Sequence, residues 1–122
     1  FFQEFMVPVL REMTRRVDYC MYHWDGPGAL RHHDLLLAIP RITMIQWTPG
    51  EGNEPPTHPR WWPYYHKTIE AGKKVYIAHG CSVADLEVLK KEFGPKFHQF
   101  ALHIHADSLQ QANAAIRAAS NI

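Results

Sequence analysis

The 122 residues suit one domain, and 46% hydrophobic with 20% charged residues is ordinary for a globular one. A net charge of +1 argues against a polyanion-binding surface, so nucleic acid is not an expected partner. No apolar run nears the roughly 20 residues that span a bilayer, no signal peptide opens the chain, and Cys20 and Cys81 make no disulfide framework, so a cytoplasmic setting without membrane contact is expected.

The first 14 residues carry Phe1, Phe2, Phe5, Met6, Val9, Leu10 and Met13 at helical spacing, with a kink expected at Pro8. The chain starts at Phe1 rather than Met, as expected of a piece of a longer one. Val17 to His23 is aromatic and β-favouring, and Asp25-Gly26-Pro27-Gly28 closes it as a turn. Residues 28–38 predict a helix stopped before Pro40, and Ile42 to Trp47 a second strand. Thr48 to Thr57 is a long loop rich in Pro, Gly and Glu. Pro59 suits the first turn of a helix to Ala71, stopped by Gly72. Lys74 to Ala78 predicts a third strand, and Ser82 with Asp85 a capping box for a helix over 83–93. After Gly94-Pro95, Phe97 to Ile104 predicts a fourth strand, and Ser108 with Gln111 caps a last helix over 108–119.

One helix followed by four strand–helix units predicts an α/β fold with a parallel sheet and right-handed crossovers. An open doubly wound sheet and part of a (β/α)₈ barrel both satisfy that order. The open sheet usually carries a glycine-rich phosphate loop after its first strand. Here Pro27 removes an N–H where a phosphate needs one, which favours the barrel. A barrel takes about 250 residues, so four βα units form half of one. They need a second copy or a missing N-terminal half-barrel, or they stay an open sheet.

The run Tyr22-His23-Trp24-Asp25-Gly26-Pro27-Gly28-Ala29-Leu30-Arg31-His32, with Ile45-Gln46-Trp47-Thr48-Pro49-Gly50-Glu51-Gly52, resembles the uroporphyrinogen-decarboxylase-like superfamily. The likeness is to a bacterial branch described as decarboxylase-like or corrinoid-associated methyltransferase-like. It covers essentially the whole chain, aligned to the last half of the family barrel. The resemblance implies a lyase or methyltransferase ancestry and a small-molecule, corrinoid or tetrapyrrole substrate. Decarboxylases of the family bind a tetrapyrrole without metal. Its methylcobamide:thiol methyltransferases hold zinc through a His-x-Cys pair and a later Cys, and the zinc turns a thiol into an attacking thiolate. His23 matches the first of those ligands, whereas Asp25 stands where the family has Cys. His103 and His105 are the strong ligands near the end of the last strand. Zinc, with a corrinoid as substrate or as a group bound by a partner, is therefore the cofactor set implied.

Independently of the family, residues i and i+2 of a strand point to one side, so His23 and Asp25 can face one cavity. Imidazole and carboxylate both suit a divalent metal, and His103 or His105 can supply a third donor. Equally, Asp25 can make a turn into Gly26 while His23 is a hydrogen-bonded structural residue. His79 ends the third strand and is a candidate base or ligand, since imidazole exchanges protons near neutral pH. Cys81 precedes a capped helix, a position that lowers a thiol pKa. Gln46, Trp47 and Glu51 lead into the long loop, where a lid or clamp and a flat aromatic surface for a ligand are expected. His32, His33, His58, His66 and His98 read as surface or interface residues. Two non-enzymatic readings stand beside the catalytic one: a half-barrel that homodimerises, and a corrinoid- or tetrapyrrole-binding subunit without catalysis.

Overall fold

Four strands and five α-helices alternate along residues 1–120, which a computed structural model describes. The strands are β1 (Met21–Asp25), β2 (Met44–Thr48), β3 (Lys74–Cys81) and β4 (Phe100–Ile104). The helices are α1 (Val7–Thr14), α2 (His33–Leu37), α3 (Trp62–Glu70), α4 (Val83–Phe93) and α5 (Leu109–Ser120). The sheet is all-parallel in the order β1-β2-β3-β4. Each strand is laid beside its predecessor in the same direction, so right-handed crossovers put every connecting helix on one face. This is the arrangement of half a (β/α)₈ barrel. Among the described residues, no helix is long and apolar enough to cross a membrane.

Alternation along the strands separates the two faces. Trp24, Ile45, Trp47, Val75 and Ile77 are buried in one cluster with Leu36, Trp61, Tyr65, Leu86 and Leu89 from the helical layer. The intervening positions lie on the other, inner face. There His23, Gln46, Tyr76 and Ala101 stand in register across all four strands. One layer below, Met21, Met44 and Lys74 are likewise in register.

Several predicted boundaries move for local reasons. Pro8 has no N–H to offer the helical ladder. The segment before it, Phe2–Met6, forms a π-helical turn in which the Val7 N–H reaches the Phe2 carbonyl. The first strand begins at Met21 rather than Val17, because β2 begins pairing only at Met44, the partner of Met21. Residues 27–32, opened by Pro27 and Gly28, take a 3₁₀ turn and leave α2 only five residues. Gly94-Pro95 likewise opens a 3₁₀ turn over Gly94–Gln99, so β4 starts at Phe100. In the other direction β3 runs on to Cys81, past an irregularity in pairing between Ile77 and Cys81.

Lys73 ends the turn before β3 and is buried, its ammonium donating to the carbonyls of Ile39 (2.8 Å) and Ile42 (2.5 Å). These bonds tie the end of the α2 segment to the base of the sheet, which accounts for a buried cation in an apolar surrounding.

Candidate functional site

The inner face at the C-terminal strand ends is where a barrel of this kind holds its chemistry. On β1, His23 and Asp25 share that face, with Nε2 to Oδ2 at 3.8 Å and side chains 55% and 61% exposed. That is an ion-pair separation, beyond hydrogen-bonding distance. Gln46 sits beside His23 in register and Thr48 beside Asp25. Tyr76 of β3 continues the His23–Gln46 row. The expected site residues omitted it. Period-2 alternation from Lys74 through Tyr76 to Ala78 was the signal that puts it on the inner face.

His79 lies at the junction of two hollows. One, of about 370 Å³, is closed by the loop after β2 and lined by Pro49, Glu51, Asn53 and Pro56 together with His79 and Gly80. The other, of about 490 Å³, lies between β3 and β4 and is lined by His79, Cys81, Ser82, His103 and His105. The junction is held by Gly80, whose φ of +68° belongs to the left-handed region and whose Cβ, were there one, would meet Pro56 Cδ at 3.3 Å. The loop is itself fastened from below: Tyr65 donates to the Pro56 carbonyl (2.5 Å), Trp61 to that of Glu54 (3.2 Å) and Trp62 to that of Thr57 (3.1 Å). The aromatic cluster Trp61, Trp62 and Tyr65 thus works as an anchor for the overhanging loop.

The remaining candidates divide. Glu51 is exposed on the loop at the edge of the first hollow. His105 pairs with Asp107 (2.8 Å), both side chains largely in solvent, while His103 projects from β4 next to the second hollow. Trp47 cannot offer its ring to a ligand. It is 2% exposed, on the helix side of β2, tilted against Trp24 and Trp61 with ring centroids 4.8 and 5.0 Å away. The parity of the strand decides this: Gln46 faces in, so Trp47 faces back. Cys81 is buried, and burial, helped by the nearby Asp85 carboxylate, pushes its thiol up to about 11. The expected lowering by the helix N-terminus does not prevail, because burial penalises the thiolate and Asp85, which already satisfies the cap, adds negative charge there. Cys81 is a neutral wall of the hollow rather than a nucleophile.

His33, expected at the surface or an interface, is buried within the chain. Its ring stacks on Trp24 at 4.4 Å and its Nε2 lies 2.9 Å from Thr68 Oγ1. Thr68 gives its own proton to the Tyr64 carbonyl (2.8 Å), so it accepts from His33, and the proton is on Nε2. Nδ1 is then a bare lone pair with no hydrogen-bond partner among the described residues. Burial first, and the Lys67 cation second, lower this imidazole to about 4, only partly opposed by Asp34. His33 is a neutral structural histidine behind the sheet.

A zinc ion needs three or four donors around one point. His23 and Asp25 stand on β1 at one edge of the sheet, His103 on β4 at the other with His105 just beyond it, and two strands lie between. Among the described residues, no group of three His, Cys, Asp or Glu side chains is placed to hold a metal. Within a single chain the implied ligand set does not fit the ion. Comparison of the chain with family models, curated proteins and solved structures finds no match.

Proposed function

We propose that the chain is the C-terminal half-barrel of an enzyme of the uroporphyrinogen-decarboxylase-like superfamily, in its corrinoid-methyltransferase-related branch, with the substrate held at the C-terminal strand ends. One observation carries this reading. Toward the strand ends the inner face is largely polar, where barrel interiors are usually filled by branched apolar side chains: His23, Gln46 and Tyr76 share a layer with Ala101, with Asp25, Thr48 and His103 further toward the strand ends. A polar layer of this kind serves a ligand cavity rather than a packed core.

Both reactions of the superfamily ask for a proton to move at the rim. Decarboxylation leaves a carbon that must be protonated, and methyl transfer to a thiol requires the thiol proton to be taken. His79 is the group placed for this, exposed and bordering both hollows. Asp25 adds a carboxylate beside His23 on the same strand, and Gln46 and Tyr76 offer neutral donors and acceptors to a polar substrate. The loop over residues 49–56 shields the first hollow from one side.

The test is a visible-absorbance titration of the untagged chain with hydroxocobalamin and, separately, with coproporphyrin. Saturable band shifts with either probe, weakened at least tenfold by His23→Ala or His79→Ala, are expected. Absence of a shift with both probes would remove the reading.

A further inference from the structure

We infer that the hollow under the loop after β2 binds a small organic cation bearing N–H donors, an amidinium or ammonium group, held by the Glu51 carboxylate with the His79 imidazole beside it. The hollow measures about 370 Å³, within the range of small-molecule pockets. Its walls are the loop after β2 and the end of β3, the two central strands, so whatever adjoins β1 or β4 does not shape it. The loop is fastened by Trp61, Trp62 and Tyr65. The hollow is therefore formed before a ligand arrives, and little ordering cost opposes binding.

The backbone of this wall gives a ligand little to bind. Pro49, Pro55 and Pro56 have no N–H. Their carbonyls are already engaged, by the Asn53 side-chain amide (3.0 Å), the His58 N–H (2.9 Å) and the Tyr65 hydroxyl (2.5 Å). Polar recognition therefore falls to side chains, and these set the sign of the charge. Glu51 and Glu54 line the hollow, and no Lys or Arg does. Glu54 has His58 at 3.7 Å, whereas among the described residues neither the Glu51 nor the His79 side chain has a hydrogen-bond or ion-pair partner. Asp25 stands in register with Thr48, another lining residue, and adds negative charge nearby. An anion would meet these carboxylates and find no donor on the prolines. A cation meets a carboxylate free to accept a charge-assisted hydrogen bond and an imidazole nitrogen that can accept a second. The apolar faces of the proline rings suit its hydrocarbon body.

An amide-resolved NMR titration of the full chain tests this with three probes of one shape and different charge: cationic benzamidine, neutral benzamide and anionic benzoate. Benzamidine is expected to move the Asn53 and Gly80 signals saturably and to bind about tenfold tighter than benzamide, with no saturation by benzoate. Glu51→Gln, at an exposed loop position, is expected to abolish the preference for benzamidine over benzamide while the remaining spectrum is kept. Equal affinity for benzamidine and benzamide overturns the inference, as does tighter binding of benzoate or a preference that survives Glu51→Gln. Cation binding here does not depend on the tetrapyrrole reading. A chain that takes benzamidine but neither hydroxocobalamin nor coproporphyrin loses the proposed function and keeps this site, and the reverse result removes this site alone.

Discussion

His33 shows how one side chain links packing to pH. In the unfolded chain its imidazole takes a proton as pH falls through about 6.5. In the folded chain, held between Trp24 and Thr68, it resists until about 4. Between those values the unfolded state binds the extra proton, so the stability present above about pH 6.5 is progressively lost toward pH 4. The loss from this residue is on the order of 3 kcal/mol. Urea midpoints measured across that window should fall less steeply for His33→Phe, which keeps the ring stack and cannot titrate. Equal slopes for variant and wild type would show that His33 is not the group responsible. Trp47 and Cys81 carry the complementary lesson. Both are residue types that invite a functional reading, and both are buried, one by strand parity and the other at the foot of a capped helix.

At the level of elements, the joint between β3 and the loop after β2 governs the shape of both hollows around His79. Gly80 combines a left-handed backbone with contact on Pro56, whereas Gly52 has a similar φ of +79° and open space around it. Gly80→Ala is therefore expected to destabilise by about 1–3 kcal/mol and more than Gly52→Ala, as read by thermal or urea unfolding. Equal costs would show that the loop does not rest on β3. The helix that follows is fixed independently by its capping box: the Ser82 N–H reaches Asp85 Oδ2 at 2.7 Å and the Asp85 N–H reaches Ser82 Oγ at 3.3 Å. This element was legible in the sequence, because Ser-x-x-Asp before an apolar run satisfies its own orphan N–H groups locally. The first turn was legible only as an irregularity at Pro8, since which hydrogen bonds replace the missing one depends on how the flanking turns pack.

For the whole molecule, the singly wound sheet in the order β1-β2-β3-β4 sets which inner-face groups are neighbours, His23 beside Gln46 and Gln46 beside Tyr76. The separation of His23 and Asp25 from His103 and His105 has the same origin. Strand order alone fixes that distance, and no substitution within one chain can shorten it.

The order of helix and four strand–helix units, the parallel sheet, the capping box and the shared side of His23 and Asp25 followed from the sequence, because each rests on local periodicity, turn chemistry or the two-residue repeat of a strand. What the tertiary structure alone decided was which parity faces the helices, and with it the burial of Trp47 and the place of Tyr76, together with the burial of His33 and the neutral state of Cys81. Those outcomes depend on what a distant segment lays against each side chain: Tyr64 and Thr68 against His33, Trp61 against Trp47, Pro56 against Gly80. Residues far apart along the chain carry no local mark of that encounter.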